Sequence, residues 1–353
     1  MSVLLAIHGA ILLVIASNAV YLWRRNRDWE LAEELPRVSI LIPARNEEEN
    51  LQRLLPSLWL QDYPVFEVVV VDDASEDGTW DVLQSQNDSR MKVIRSSGPP
   101  EGWIGKVHAL FRAAEEATGE VFLFLDADAV LTQEDSLRRL VSRLLSCGEN
   151  AVLTGLPSYT DRGSGLILTS MVPFAVLSAL PLALVPHTKF ASLSALNGQC
   201  WLIRAADYRR LKPHLHHKSE VLEDMQIGRY LKRTGMKLHM LSLQCEVSVR
   251  MYQTFGEAWR GFRKNAYLIQ GGNPFAFLII HLAFWVILVL APLLGWPLLI
   301  TLYLIKGSSD RIARLPLWVS LATPLVLLCA ALMQLDSAAA HWTNRVGWKG
   351  RRV

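Results

Sequence analysis

Apolar and polar positions come in blocks along the first third of the chain. Short apolar runs begin at Val38 (VSILIP), Phe66 (FEVVVVD), Met91 (MKVIR) and Glu120 (EVFLFLD), spaced 28, 25 and 29 residues start to start. Between them, segments 47–61, 79–86 and 105–118 carry apolar residues at helical spacing. A strand, a crossover helix and a second strand form a βαβ unit, whose strands run parallel. The pattern predicts an α/β domain in which the first four strands are mostly parallel, with helices on both faces. Ligands of such sheets collect at the carboxyl ends of the strands.

Longer apolar runs of another kind bracket this region. Residues 1–23 contain no Lys, Arg, Asp or Glu and are followed at once by Arg24, Arg25 and Arg27. A run of about 20 such residues suits a bilayer span, and the positive flank assigns the following domain to the cytoplasm. A cleaved signal peptide would carry its charge before the apolar core, so an uncleaved anchor is expected. Residues 276–305 would reach roughly 45 Å as a straight helix, more than the roughly 30 Å hydrocarbon core needs. Pro292, Gly295 and Pro297 are expected to break that run, and 315–335 supplies another. Two or three spans over 276–335 follow, with a basic loop at 306–314. The basic tail, 336–353, would prefer the cytoplasm. A third apolar region, 166–185, carries Pro173 and Pro181 and interrupts what otherwise reads as a soluble domain over 36–270. It is expected to be a buried or interfacial helix.

Composition agrees with a membrane-associated protein. Of 353 residues 51% are hydrophobic, and the mean hydropathy is +0.22, too apolar for an ordinary soluble chain. A net charge of +3 without a dense basic block gives no reason to invoke nucleic acid. Cys147, Cys200, Cys245 and Cys329 are far apart, which argues against structural zinc and a disulfide framework.

Four polar clusters fall at or beyond strand ends. Pro43-Ala-Arg-Asn-Glu47 follows the first strand. Asp72-Asp-Ala-Ser-Glu-Asp-Gly78 follows the second. Turn chemistry alone explains the latter; alternatively Asp72 or Asp73 accepts hydrogen bonds from a nucleotide base or ribose. Gly102-Trp-Ile-Gly-Lys106 opens a helix with one lysine suited to a phosphate, although it is not a Walker A loop. Asp126-Ala-Asp128 ends the fourth apolar run. On an extended chain both carboxylates point to one side, close enough to share a divalent cation, and a solvated Asp-rich turn is the plainer reading. Glu223-Asp224 opens a helix that runs to Arg233, where acidic residues are favoured by the helix dipole. The alternative is a general base.

Taken together, VSILIPARNEEENL, VVVDDASEDGT, GKVHAL, VFLFLDAD, NGQCWLIR and VLEDMQIGRYLKRTG resemble, in order and spacing, the family 2 glycosyltransferases, which have the GT-A fold. The resemblance covers roughly residues 36 to 265. It implies that Asp72 and Asp73 bind the nucleotide of an activated sugar, that Asp126 and Asp128 hold a divalent cation (Mg or Mn) and the diphosphate, and that Asp224 is the base, with Lys106 and Glu223 assisting. It further implies inversion at the anomeric carbon. The Gln-x-x-Arg-Trp signature of processive members is missing; Arg250-Met-Tyr252 and Glu257-Ala-Trp259-Arg-Gly-Phe-Arg263-Lys264-Asn265 stand there. This is similar to membrane glycosyltransferases of carotenoid and hopanoid gene neighbourhoods. Trp259, Arg260, Arg263 and Lys264 then either contact acceptor and diphosphate or form a snorkelling interfacial helix.

Two other readings compete. The Asp126-Ala-Asp128-Ala-Val130 run also resembles the nucleophile motif of haloacid dehalogenase-type phosphatases, but that class begins its domain with this strand and here three strands precede it. A non-enzymatic membrane scaffold would have little use for so many acids at sheet edges. Flanking spans and the apolar insert suggest an acceptor that enters from the bilayer: one hexose passing from a nucleotide-diphosphate sugar to a hydrophobic alcohol or acid of the carotenoid or terpenoid type. A polyprenyl phosphate and a growing polysaccharide are the alternatives.

Overall fold

The computed structural model describes residues 1–161, 163–348 and 351–352. The chain divides into two compact units. One comprises Leu22–Ser158 and Leu184–Val249; the other comprises Met1–Tyr21, Tyr159–Ala183 and Arg250–Val353.

The first unit is built on strands β1 (Val38–Ala44), β2 (Phe66–Asp73), β3 (Met91–Ser96), β4 (Val121–Leu125), β5 (Ala129–Leu131), β6 (Ala151–Leu156), β7 (Ser158–Tyr159, of which only Ser158 belongs to this unit), β8 (Cys200–Arg204), β9 (Lys237–Ser242) and β10 (Val247–Val249). The main sheet has the order β3-β2-β1-β4-β8-β6-β9. As the repeat predicts, β1 pairs in parallel with β2 and β4, and β2 with β3. β8 enters antiparallel between β4 and β6, and β9 is again parallel to β6. Continuous burial explains the apolar runs: all five residues of β4 and all six of β6 are buried. Helix Glu48–Trp59 buries Leu51, Leu54, Leu55 and Leu58, one stripe at helical spacing. Helix Gly105–Glu116 packs on β1 and β2 through Val107, Leu110 and Ala113 among others. Residues 126–128, expected on an extended chain, form a turn: the Ala129 N–H donates to the Asp126 carbonyl at 3.1 Å, and β5 begins there.

The second unit is helical among its described residues apart from short strand segments. Among the described residues, three helices are long and apolar enough to cross a membrane: Ser2–Arg25, Pro274–Leu294 and Thr323–Trp342. The expected break falls at Gly295, whose φ of 152° lies in the region that favours glycine, between Pro292 and Pro297. The basic loop expected at 306–314 is not a loop over most of its length. Helix Trp296–Ile312 continues through it, and Lys306 is neutralised one turn on by Asp310, both side chains being at most 1% exposed. Ser320 donates to Asp310 at 2.9 Å and Lys306 donates to Ser170 at 3.3 Å. The 166–185 region contains helices Leu166–Thr169 and Met171–Ala179; Phe174 joins Ile15, Leu302, Ile305 and Leu327 in one apolar cluster. Of the basic tail, residues 349, 350 and 353 lie outside the described ones.

Candidate functional site

β2 delivers Asp72 and Asp73 to the carboxyl edge of the sheet, 0% and 3% exposed. The chain then turns sharply, with Ala74 at a φ of 53°, a conformation a non-glycine residue holds only when its surroundings fix it. The fixing groups come from the β1 end. Arg45 donates to the carbonyls of Asp73 and Ala74, both at 2.8 Å, and the Asn46 N–H donates to Ser75 Oγ at 3.0 Å. Asp72 Oδ1 accepts from the Ser75 N–H at 3.1 Å, while Oδ2 is buried without a hydrogen-bond partner. Part of Asp72 is therefore ordinary turn chemistry; the second oxygen is a desolvated acceptor at a strand end, the kind of group that a ribose hydroxyl or base N–H satisfies.

Lys106 is the second residue of helix Gly105–Glu116, and the entry to that helix is tied down by the Ile104 N–H donating to the Lys218 carbonyl at 2.8 Å. Its Nζ lies 2.8 Å from Asp126 Oδ2 and 3.2 Å from Glu223 Oε1. Burial by itself would lower the Lys106 pKa, but Asp126, Glu223 and Asp224 together hold it well above its usual value, so this lysine is charged throughout the physiological range. Glu223 and Asp224 open helix Glu223–Arg233, whose N-cap Leu222 offers no side-chain cap. Glu223 turns to Lys106 rather than acting through the dipole alone. Asp224 accepts from its neighbour's Met225 N–H at 2.7 Å and, through Oδ2, from the Gly198 N–H at 3.2 Å. Burial first, then the Glu223 carboxylate, push the Asp224 pKa up to about 6, against the pull of Lys106 and the two N–H donors. A carboxylate so placed is ionised at neutral pH yet basic enough to receive a proton.

The structure thus joins Lys106, Asp126, Glu223 and Asp224 in one cluster, with Asp128 two residues along the same turn. Lysine, with charge +1, faces three carboxylates, and two like charges 4 Å apart cost about 4 kcal/mol at an effective dielectric near 20. An anionic diphosphate would meet that repulsion unless a cation accompanied it. The oxygen donors of Asp126 and Asp128 suit a hard divalent ion. Among the described residues no group of three or more His, Cys, Asp or Glu side chains is arranged to hold a metal; a cation at Asp126 and Asp128 would need further oxygen ligands, which phosphate oxygens could supply.

Gly198 and its neighbours received no role from the sequence, although NGQCWLIR stood out there. The visible signal was a glycine between two amides just before an apolar run.

The remaining sequence candidates lie in the helical unit. Trp259 Nε1 donates to Asp336 at 2.7 Å, and Arg263 lies 3.9 Å from the same carboxylate. The Arg263 and Lys264 carbonyls accept from Ser337 and pair with His341, at 2.6 and 2.9 Å. These contacts fasten helix Phe255–Arg263 to helix Thr323–Trp342, while the Arg260 side chain is exposed. At Gly261 an added Cβ would collide with the Tyr252 hydroxyl, so the glycine is needed for close packing.

Comparison with known proteins gives consistent matches. Residues 39–211 match the model of glycosyl transferase family 2. A 4,4'-diaponeurosporenoate glycosyltransferase of Staphylococcus haemolyticus is 24% identical over 342 residues, covering 89% of this chain and 88% of that protein. Its counterpart in Staphylococcus aureus (strain USA300) is 24% identical over 339 residues with the same coverage. Among solved structures, the mannosyltransferase PcManGT from Pyrobaculum calidifontis, in complex with GDP-Man and Mn2+, superposes with a TM-score of 0.56 at 22% identity, over 99% of this chain and 100% of that one. That likeness concerns the fold.

Proposed function

We propose that this chain, a glycosyltransferase that carries a glycosyl transferase family 2 domain at residues 39–211 on a GT-A fold, moves one hexose from a nucleotide-diphosphate sugar to a membrane lipid with inversion at the anomeric carbon. The observation that carries this reading is the Lys106 bridge, which sets Asp126 of the DxD turn and the Glu223-Asp224 pair around one ammonium. Departure of a nucleoside diphosphate develops negative charge; Lys106, 2.8 Å from Asp126, would offer donors to a diphosphate held there. A divalent cation bound by Asp126 and Asp128 would supply further stabilisation of that charge and offset the acid cluster's repulsion. Asp224 receives the proton of a hydroxyl acceptor, and Glu223 keeps Lys106 in place. Asp72 and Asp73 hold the nucleoside, with Arg45 shaping their turn.

The acceptor is a hydrophobic alcohol or acid of carotenoid or terpenoid type. Support comes from the two relatives named as diaponeurosporenoate glycosyltransferases and from three helices apolar and long enough to cross a membrane. In this reading 1–23 anchors the protein in the inner membrane, 36–270 works on the cytoplasmic side, and 276–335 completes the membrane part. A raised Asp224 pKa favours a hydroxyl acceptor, which needs a base. The relatives' name favours a carboxylic acid, already ionised at neutral pH. Asp224→Asn separates the two: a turnover loss as large as that of Asp128→Asn means a hydroxyl, and a far smaller loss means an acid. Full activity in both variants would remove the proposed site altogether.

A further inference from the structure

We propose that Gly198 is a positioning residue for the base: its bare Cα leaves the room in which Asp224 and Lys106 meet, and its N–H sets the direction of the Asp224 carboxylate. The proposal rests on the reading of Asp224 as the base. An added Cβ at Gly198 would lie 3.2 Å from Asp224 Cβ, 3.3 Å from its Oδ2 and 3.5 Å from Lys106 Nζ, at or inside the roughly 3.5–4.0 Å optimum for such contacts. The backbone there does not demand glycine, since Gly198 is not among the residues with positive φ. Its missing side chain, and not its flexibility, is what the site uses.

The turn that carries Gly198 cannot yield easily. The Asn197 N–H donates to Thr154 Oγ1 at 3.0 Å, and Asn197 Nδ2 donates to the Gly155 carbonyl at 3.0 Å, both on β6. Asn197 Oδ1 accepts from the Gln199 N–H at 3.1 Å. The Gln199 carbonyl accepts from the Asp126 N–H at 3.0 Å. Three residues therefore tie β6, the DxD turn and the helix of Asp224 to one another. A methyl at position 198 must displace the Asp224 side chain, because its own backbone is held on both sides.

Since a misplacement near 1 Å costs about a hundredfold, a displacement of a few tenths of an ångström should cost about tenfold in kcat. The test is a cycle of Gly198→Ala and Asp224→Asn in the detergent-purified full chain, with nucleoside diphosphate release measured from UDP-glucose and GDP-mannose, Mn2+ and a lipid extract of the host. Gly198→Ala should lower kcat about tenfold at unchanged donor KM, and should cost less than about twofold when added to Asp224→Asn. Wild-type kcat, a rise in donor KM alone, or an equal loss in both backgrounds would overturn the proposal. Asn197→Ala should give a smaller loss of the same kind, and it carries the test if Gly198→Ala does not fold: a loss that persists in the Asp224→Asn background then overturns it. Failure of the underlying reading shows separately, as an Asp224→Asn single variant with undiminished turnover.

Discussion

Replacing Asp224 by asparagine removes a proton acceptor while preserving shape. The amide carbonyl in the Asp224→Asn variant can still accept from the Met225 or Gly198 N–H that the carboxylate now uses at 2.7 and 3.2 Å, so the helix start should survive. Removal of a general base costs about 10²–10⁴-fold, which is roughly 3–5 kcal/mol of transition-state stabilisation. Donor binding should not weaken, because one negative charge leaves a cluster in which Lys106 already faces Asp126 and Glu223. The pH dependence follows from the Asp224 pKa of about 6. The group works when ionised, so kcat should be level above that value and fall about tenfold per pH unit below it; the variant should lose this acid limb. The assay is nucleoside diphosphate release between about pH 5 and 8 with saturating donor. An acid limb unchanged in Asp224→Asn, or kcat within about threefold of wild type while Asp128→Asn is inactive, would refute the assignment of a base and turn attention to an acceptor that arrives ionised.

Other parts of the structure give sharper or cheaper tests. Lys106→Met removes the cation shared by Asp126 and Glu223, and titration calorimetry with UDP or GDP plus Mn2+ should show at least about tenfold weaker binding; unchanged binding would dissociate Lys106 from the diphosphate. Chelation with EDTA should abolish nucleotide binding and Mn2+ or Mg2+ should restore it, whereas full binding in EDTA would remove the metal role of Asp126 and Asp128. In the helical unit, Asp310→Asn strands a Lys306 charge that is 0% exposed. It should cost about 3–5 kcal/mol, seen as a lower melting temperature in detergent, while Lys306→Met with Asp310→Leu should cost much less. Equal damage from both variants would argue that the pair serves something other than neutralisation.

Periodicity carried the first half of the sheet. Four apolar runs separated by helical fillers led to parallel β1, β2, β3 and β4, because crossover length and strand direction are local properties of the chain. The insertion of β8 between β4 and β6 was not legible in the same way: Cys200–Arg204 is a five-residue run whose antiparallel partners are remote in sequence. Lys106, Asp126, Glu223 and Asp224 were each singled out from their motifs, but nothing in a sequence states that one ammonium lies within hydrogen-bond reach of two of them. The DxD turn differs from an extended pair because Ala129 bonds back to Asp126, a choice made by where β5 must begin. Gly198 stayed silent since its contribution is an absent side chain, visible only once Asp224 stands 3.2 Å from where a Cβ would be. Lys306 misled as a loop marker because its partner, Asp310, lies one helical turn away and buries with it.

The central claim, hexose transfer to a membrane lipid, is tested most directly by mass spectrometry of lipids after incubating the detergent-purified protein with Mn2+, UDP-glucose or GDP-mannose and a lipid extract of its host. The expected result is a lipid heavier by one hexose, absent with Asp128→Ala. No modified lipid, no nucleoside diphosphate release and no nucleotide binding would contradict it.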